Sequence, residues 1–375
     1  MEFTAENKPT TPNLKFAHSS NEFYSEVKNR VHQYFQKNNL STHADYRMVI
    51  KSVVLLGTFI GTYLLFFTGW MNGWQALIAC FVLGISSAGI GFSVAHDAIH
   101  GAYSSNSKLN YALGLTMNLI GGNKYVWSIT HNIIHHTYTN IHGYDEDLEV
   151  FPAAIRMSTN QERKPIHRIQ HFTAFILYGF AVIFWVLFKD FKKISQESIG
   201  PYKIKKHPRT ELLVLFLTKA IYYTYIFVLP LVFLHYTWWQ FLIGYLSIYL
   251  TAGMILGIVF QMAHVVQDLD FPMPKNNGVI DNNWAIHQMH TTANFAMDSF
   301  IVNWFVGGLN FQVEHHLFPK VCHVHYPVIS KIVQQTAKEY KVPYHYNRTF
   351  ADAIRSHYRM LKELGRPVPK TVTAV

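Results

Sequence analysis

Three short clusters of histidine are the residues of this sequence best suited to chemistry. The clusters read H-D-A-I-H with His96 and His100, H-N-I-I-H-H with His131, His135 and His136, and Q-V-E-H-H with Gln312, His315 and His316. Side chains three and four residues apart lie on one face of a helix, so each cluster presents two or three polar groups side by side. Neutral imidazole is the commonest metal ligand among side chains. The spacing therefore predicts a metal centre.

A further histidine, His264, follows directly after an uncharged stretch of 28 residues, 236–263. Eight histidines and a glutamine are more than a single zinc site takes, so we predict two metal ions. Imidazole binds zinc, copper, iron and nickel, so the ligand type alone leaves the metal open. Four nearby carboxylates are candidate acceptors for the far nitrogen of a ligand ring: Asp97, Asp145, Asp147 and Glu314. His287 and His290 are weaker ligand candidates, and Asp145 and Asp147 could instead belong to a solvated acidic loop.

Long apolar stretches must position these clusters. Four of them approach or exceed the roughly 20 residues that cross a bilayer, and they cover 52–70, 74–95, 212–234 and 236–263. Core helices of soluble proteins rarely run so long without a charged face. Lys219 is the one charge within these stretches, and it should either snorkel to the surface or face protein. The sequence therefore predicts an all-α integral membrane protein with four transmembrane helices.

A fifth apolar stretch, 172–188, separates two basic segments. Residues 96–170 contain six lysines and arginines, and residues 189–210 contain seven. Basic residues concentrate in cytoplasmic loops, which places both segments and both chain termini in the cytoplasm. The stretch 172–188 then has both flanks on one side, so we predict that it is an interfacial helix. The same topology brings all the histidine groups to the cytosolic face.

The chain is predicted to form three parts. Residues 1–47 are a cytosolic N-terminal segment, 48–320 are the membrane core, and 321–375 form cytosolic C-terminal helices. Soluble helices are predicted over 21–38 and near 327–341 and 350–364. A cytosolic helical cap is expected to hold the histidine-rich centre.

Composition excludes several classes of protein. Charged residues make up 14% of the chain, against about 25% in soluble domains, which excludes disorder and argues against a soluble globule. The net charge of +10, concentrated beside the apolar stretches, indicates anionic lipid rather than nucleic acid as a partner. The first residues lack the pattern of a signal peptide. The two cysteines, Cys80 and Cys322, are too few for a disulfide framework.

The order of the three clusters resembles the three histidine boxes of the membrane-bound fatty acid desaturase family. Two longer segments, H-H-T-Y-T-N-I-H-G-Y-D-E-D at 135–147 and G-G-L-N-F-Q-V-E-H-H-L-F-P, are similar to its front-end subgroup, in which a glutamine opens the third box. The resemblance covers roughly residues 20–365. It implies two non-haem irons, dioxygen as co-substrate, and a cis double bond introduced into a long acyl chain that is carried by a lipid or by coenzyme A.

The resemblance also implies roles for individual residues. It makes iron ligands of eight histidines: His96, His100, His131, His135, His136, His264, His315 and His316. His264 matches an additional ligand that the family places before its third box, and Gln312 would bind iron directly or through water. The acyl chain is expected to enter a narrow apolar tunnel. Phe295, Trp304 and Phe311 either line this tunnel or pack against the bilayer.

With the resemblance, we expect electrons to reach the irons from a separate protein. Many front-end desaturases carry a fused haem domain with a His-Pro-Gly-Gly motif, whereas the one His-Pro pair here begins at His207 and is followed by Arg209. A basic cytosolic face suits an acidic donor, such as a ferredoxin or a small cytochrome with its reductase. For the location we favour a bacterial inner membrane over the endoplasmic reticulum.

Other functions fit parts of the same pattern. A lipid hydroxylase uses the same metal chemistry, and a sphingolipid could replace the glycerolipid or acyl-CoA substrate. A membrane haem protein that transfers electrons would need histidines facing each other within the spans, whereas these histidines lie at span ends. A metal transporter would need ionisable residues deep in the bundle, where only Lys219 qualifies.

Overall fold

The computed structural model describes residues 14–17, 21–151, 153–204, 206–275 and 278–367. The helices are α1 (Glu22–Lys37), α2 (Tyr46–Leu65), α3 (Gly73–Ile90), α4 (His96–Ile99), α5 (Ser107–Gly114), α6 (Thr116–Leu119), α7 (Lys124–Trp127), α8 (His136–Tyr138), α9 (Gln170–Phe184), α10 (Asp190–Ile194), α11 (Arg209–Tyr223), α12 (Leu229–Phe233), α13 (Trp238–His264), α14 (Trp284–Thr291), α15 (Phe300–Phe305), α16 (Gln312–Leu317), α17 (Tyr326–Glu339) and α18 (Phe350–Leu364). Wider π-helical turns occupy Gly91–Ala95, Ser128–His135, Trp185–Lys189 and Thr224–Val228. The helices therefore dominate the fold.

Short strands pair at three places. The pairs are β1 (Lys15–Phe16) with β4 (Val279–Ile280), β2 (Ser198–Ile199) with β3 (Tyr202–Lys203), and β5 (Ala293–Phe295) with β6 (His345–Asn347). The first and third pairs are parallel and join segments far apart in sequence, whereas the second is antiparallel and closes a local hairpin. The strands therefore fasten loops around the helices.

Among the described residues, five continuous helical stretches are long and apolar enough to cross a membrane: Tyr46–Thr68, Gly73–Ile99, Pro165–Ile194, Arg209–Phe233 and Trp238–His264. Four of them coincide closely with the four predicted spans. The third stretch contains residues 172–188 and also qualifies by length and composition. The fold is thus helical with several membrane helices, as predicted, and offers five such helices rather than four.

The second long stretch, Gly73–Ile99, lies at the centre of the bundle. Within its most apolar window 72% of the residues are buried, against 22% for the first stretch. Its α3 part packs against α2 and against α13. Gly84 allows α13 to approach closely, because a Cβ there would lie 2.6 Å from the carbonyl oxygen of Ile248. The helix that leads into the first histidine cluster is thus held from two sides.

The third long stretch packs along α13 and contacts other parts of the chain at both ends. At the crossing, a Cβ on Gly253 would overlap the carbonyl oxygen of Gly179, so glycine lets the two backbones touch. At one end Gln170 Nε2 donates to the carbonyl oxygen of Leu361 in α18 at 2.8 Å. At the other end Lys193 forms an ion pair with Glu146. Its apolar face is left exposed along the full length.

Lys219, the one charged residue predicted inside a span, faces protein. Its ammonium group lies 2.8 Å from a carboxylate oxygen of Asp190. It also donates to the carbonyl oxygens of Gly121 and Val186 at 2.7 and 2.8 Å. Both members of the pair are almost fully buried. Because a buried charge is stable only when it is paired and hydrogen-bonded, these contacts explain how a lysine is tolerated here.

Helices occupy the three segments for which soluble helices are predicted, namely α1, α17 and α18. α1 packs against α17 through buried Val27, Val31 and Val333. α18 packs against α9 and α13. Cys80 and Cys322 are both free and buried. α17 also packs against α16, so these outer helices lie next to segments that carry the histidines.

Candidate metal centre

Two of the three histidine clusters lie on or directly after a π-helical turn. Gly91–Ala95 is π-helical and leads into His96, and Ser128–His135 is π-helical and carries both His131 and His135. Such turns are frequent at functional sites because the extra residue changes which side chains share a face. The rings of His131 and His135 lie 5.1 Å apart between centroids and are nearly parallel. The local backbone therefore brings these imidazoles side by side.

The structure gathers all eight predicted histidines in one buried cluster. Their ring nitrogens form overlapping groups in which the atoms lie within 4.8 Å of one another: His96, His100, His131 and His315; His135, His264 and His316; and His136, His315 and His316. The rings of His135 and His264 are 4.6 Å apart between centroids, although α13 carries one and the second cluster the other. Four separate segments thus contribute to one centre.

Several ring nitrogens in this cluster have no hydrogen-bond partner among the described residues. They are Nε2 of His96, His100, His135 and His315, and Nδ1 of His96 and His136. A buried polar atom without a partner costs free energy, so such atoms are rare in folded proteins. A bound cation would satisfy several inward-facing nitrogens at once. The residues present therefore fit a metal site.

Polar groups outside the cluster hold the far nitrogens of several rings. Nδ1 of His135 lies 3.1 Å from both carboxylate oxygens of Asp145, as predicted for that aspartate. Nδ1 of His316 donates to Gln288 Oε1 at 2.7 Å. Nδ1 of His264 lies 3.3 Å from the carbonyl oxygen of Thr291. Such bonds fix which nitrogen carries the proton and leave the other free for a metal.

Gln288 is a functional candidate that the sequence does not reveal by spacing. It lies on α14, between His287 and His290, and also accepts a hydrogen bond from Thr139 at 2.9 Å. The one feature of the sequence that points to Gln288 is its position between His287 and His290. His287 and His290 themselves lie outside the cluster: His287 Nε2 donates to the carbonyl oxygen of Thr139, and His290 pairs with Asp270.

The other predicted carboxylates differ in position. Asp147 lies 3.5 Å from Nδ1 of both His131 and His135. Asp97 Oδ1 lies 3.6 Å from Nδ1 of His96, and its other oxygen, Oδ2, lies 2.8 Å from Nδ1 of His323.

Within the described part of the chain, Glu314 accepts no hydrogen bond from an imidazole, so its prediction as an acceptor for a ligand ring is wrong. It accepts from Asn294 Nδ2 at 2.7 Å and from the Tyr344 hydroxyl at 2.9 Å. Neighbouring residues in a helix point about 100° apart, which turns Glu314 away from His315. Burial raises the pKa of Glu314 to about 7, although those two hydrogen bonds oppose the shift.

Gln312 lies at the second group of histidines. Its Nε2 atom is 2.8 Å from Nε2 of His264 and 3.2 Å from Nε2 of His316. The amide and the two rings thus point at a common position.

Lowered pKa values at five of the rings favour the neutral form that binds a metal. Burial, and then the neighbouring imidazoles, hold the pKa well below its ordinary value for His100, His131, His136, His315 and His316. Burial also lowers the pKa of His135, but the carboxylates of Asp145 and Asp147 raise it more, and the balance is a raised pKa. Neutral imidazole is the form that binds a metal.

Comparison with known proteins decides the family. Residues 72–348 match the model of the fatty acid desaturase family. The chain belongs to this family. It is therefore an oxygen-dependent oxidoreductase that desaturates acyl chains, and the matched residues include all three histidine clusters.

Individual relatives cover nearly the whole desaturase. The acyl-lipid (8-3)-desaturase of Physcomitrium patens is 38% identical over 354 residues, which are 94% of this chain and 74% of the relative. The sn-1 linoleoyl-lipid 6-desaturase of Synechocystis sp. is 36% identical over 365 residues, 95% of this chain and 99% of the relative. The enzyme of the same name from Arthrospira platensis is 34% identical over 356 residues, 95% and 96% of the two chains.

A cavity of about 320 Å³ opens beside the histidines of this desaturase. His96 and His131 line it together with Trp127, whose indole stacks on the His131 ring at 4.3 Å between centroids. Apolar residues of its lining include Gly91, Met117, Ile120, Leu256 and Phe260. The charged residues of its lining are Glu146, Asp147, Glu149, Lys189, Asp190, Lys192 and Lys193. The cavity is therefore lined by both apolar and charged side chains.

The aromatic stretch proposed to line a tunnel does not line this cavity. Phe295 and Phe311 are 0% and 1% exposed and belong to packed cores. Trp304 packs on the edge of the membrane core. Phe295 and Phe311 therefore neither line this cavity nor pack against the bilayer, because both are enclosed by other side chains of the protein.

Proposed function

We propose that this desaturase holds two iron ions and introduces a cis double bond into the long acyl chain of a membrane lipid. The observation that supports this most is the buried cluster, in which the ring nitrogens form overlapping groups and several of them have no partner among the described residues. One iron would be held by His96, His100, His131 and His315, and the other by His135, His264 and His316. His136 lies between the groups, with its Nε2 atom 3.3 Å from Nε2 of His131. Gln312 would complete the second group directly or through water.

The overall reaction consumes one dioxygen, two electrons and two protons for each double bond, and releases two water molecules. Iron supplies the redox chemistry that an unactivated methylene requires, which redox-inert zinc does not. The chain itself does the positioning. Asp145 and Gln288 keep the proton on Nδ1 of His135 and His316, so that Nε2 of each ring faces inward. The surrounding helices exclude water from the rings.

The cavity supports an acyl lipid as the substrate. Its apolar side chains suit the hydrocarbon, and the indole of Trp127 in its wall stacks on the ring of His131. Three lysines and four carboxylates line the same cavity, which leaves no excess positive charge for the phosphates of coenzyme A. The three relatives above are named as acyl-lipid or linoleoyl-lipid desaturases. Acyl-CoA is the alternative that substrate assays must exclude.

We propose four membrane spans, with the third long stretch lying in the cytosolic interface. The ends of that stretch contact Leu361 and Glu146, both on segments predicted to be cytosolic. Its middle residue Gly179 packs on Gly253, about 16 Å along α13 from His264. Its exposed face is a row of large apolar side chains suited to lipid: Phe172, Ile176, Phe180, Phe184 and Phe188. Residues 1–47 and 321–375 would then be cytosolic, around a membrane core at 48–320.

Labelling of cysteines tests this topology. In a protein that carries Cys80→Ala and Cys322→Ala, Lys203→Cys should stay unlabelled when an impermeant thiol reagent is added to intact cells. Lys203 is exposed and would lie on the cytosolic side. His235→Cys, in the exposed connector between the last two long stretches, should be labelled and serves as the control. Outside labelling of position 203 would contradict four spans.

A separate electron donor completes the proposal. The net charge of +10 supports docking of an acidic one-electron carrier, a ferredoxin or a small cytochrome with its reductase, on the cytosolic face. Two of the relatives come from bacteria, which supports a bacterial inner membrane as the location.

Fatty-acid profiling together with metal analysis tests the function. A host that lacks the product, expressing this chain and fed candidate acids, should accumulate an acid with one additional double bond near the carboxyl end. Purified protein should contain two irons per chain and show no haem absorption. His135→Ala, expressed at the same level, should yield no product. A hydroxylated product would indicate the hydroxylase, and one zinc or a haem band would contradict the di-iron proposal.

A further inference from the structure

Three buried polar side chains, linked by hydrogen bonds, connect the first long stretch with the first histidine cluster. Lys51 lies on α2, Asp97 directly follows His96, and His323 lies in the turn after α16. Lys51 Nζ is 2.7 Å from His323 Nε2, and His323 Nδ1 is 2.8 Å from Asp97 Oδ2. The three side chains are 4%, 1% and 1% exposed. They connect the first span, the first histidine cluster and the segment that follows the third histidine cluster.

The ammonium group of Lys51 determines which atom donates in each of these hydrogen bonds. A lysine ammonium has donors and no acceptor, so Lys51 donates to Nε2 of His323. Nδ1 of His323 then carries the proton and donates to Asp97. The backbone N–H of His323 donates to the same carboxylate oxygen at 3.2 Å. Asp97 is therefore held by two donors from one residue.

The other carboxylate oxygen of Asp97 faces a proposed metal ligand. Its Oδ1 atom lies 3.6 Å from Nδ1 of His96. That nitrogen has no hydrogen-bond partner among the described residues. The separation is too long for a hydrogen bond, and a small rotation of the imidazole would close it. A proton held on Nδ1 in this way leaves the lone pair of Nε2 for the metal.

We propose that Lys51 and His323 are positioning residues for His96, acting through Asp97. The proposal rests on the metal-binding role proposed above for the histidine clusters. The contacts concern only the group that contains His96. The second group has its own supports, Gln288 on His316 and Asp145 on His135. Replacing Lys51 or His323 should therefore weaken metal binding at the group that contains His96 before it affects the second group.

A third cation site is the competing interpretation of the same residues. Ligand atoms of Asp97, Cys322 and His323 lie within 4.8 Å of one another. Both ring nitrogens of His323 are already engaged, however, and the ammonium group of Lys51 lies beside them. The positive charge of Lys51 opposes a further cation there. Three metal ions per chain in the purified protein would support the third site and overturn the proposal.

The test compares two amides at position 323 in the full-length protein. The side-chain nitrogen of asparagine can occupy the place of Nδ1, whereas glutamine reaches the place of Nε2. His323→Asn should keep the donor to Asp97 and retain close to two irons. His323→Gln should lose it, with iron falling towards one per chain and release to a chelator about tenfold faster, within the range usual for partners of metal ligands. Lys51→Met should shift both quantities in the same direction by a smaller factor.

Two controls separate positioning from stability. Lys219→Met removes another buried lysine and should lower the melting temperature of the metal-free protein while two irons are retained. Gln288→Met should weaken the second group, and its combination with His323→Gln should remove both ions.

Iron content and the rate of iron release decide whether this inference, or the proposed function as well, is wrong. Equal iron content and equal release rates in both position-323 variants would overturn the proposal, whether the melting temperature falls or not. Absence of iron from the unmodified protein would overturn the proposed function and this inference with it. Two irons in the unmodified protein, with no difference between asparagine and glutamine, would overturn this inference alone.

Discussion

Replacing His264 by alanine should abolish double-bond formation as completely as replacing His135 does. His264 lies outside the three clusters in sequence, but its nitrogens fall within the group formed with His135 and His316. Loss of a group that merely supports a metal ligand typically costs about 10- to 100-fold in affinity or activity. Loss of a ligand should cost more, so the product should fall by more than about 100-fold.

The same variant should also lose metal. Gln312 Nε2 lies 2.8 Å from Nε2 of His264, so the alanine variant leaves a gap at the point where the amide and two rings converge. Iron per folded chain should drop below two, measured by elemental analysis beside the fatty-acid profile. His290→Ala is the matched control, because His290 is partly exposed and pairs with Asp270 instead. A folded His264→Ala protein that keeps two irons and makes normal product would refute the assignment.

Much of the cluster could be predicted because its signal is local. Histidines at i and i+4 share a helix face whatever the rest of the chain does. His264 is recognisable from the sequence because its apolar helix is longer than a bilayer requires. Asp145 was a reasonable candidate because it follows the second cluster closely in sequence, and it does contact His135.

The supporting contacts between distant segments could not be predicted in this way. Lys51 and His323 are 272 positions apart, and Gln288 precedes His316 by 28. Periodicity within one segment contains no information about which other segment will pack against it. Glu314 illustrates the opposite error, because adjacency in sequence to His315 does not place two side chains on one face of a helix.

The fold was predictable to a similar extent. Hydropathy identifies all of the long apolar helices, because every spanning helix must be apolar along its length. It does not distinguish a helix that crosses from one that lies in the interface, so Pro165–Ile194 depends on charge and on its contacts. No residue pattern in the sequence predicts the π-helical turns at Gly91–Ala95 and Ser128–His135. They shape the centre because they rotate the histidines that follow or lie on them.

Filling the cavity from position 91 should stop the reaction while leaving the metal in place. Gly91 lines the cavity, and a Cβ there would lie 3.4 Å from Ile120 Cδ1 and 3.8 Å from Leu256 Cδ2. Gly91→Phe would direct an aromatic ring into the space proposed for the acyl chain. A misplacement of about 1 Å can lower a rate about 100-fold, so we expect a loss of at least that size for long-chain substrates.

Two matched variants isolate the effect of the cavity. Gly91→Ala adds only a methyl group at ordinary contact distance and should keep most of the activity. Gly61→Phe adds the same ring on a part of α2 where nothing lies within 4 Å, and should also remain active. Iron content and melting temperature separate a blocked cavity from a damaged centre or from strain in the core. If Gly91→Phe folds, retains two irons and still produces the normal amount of product, the acyl chain does not occupy this cavity.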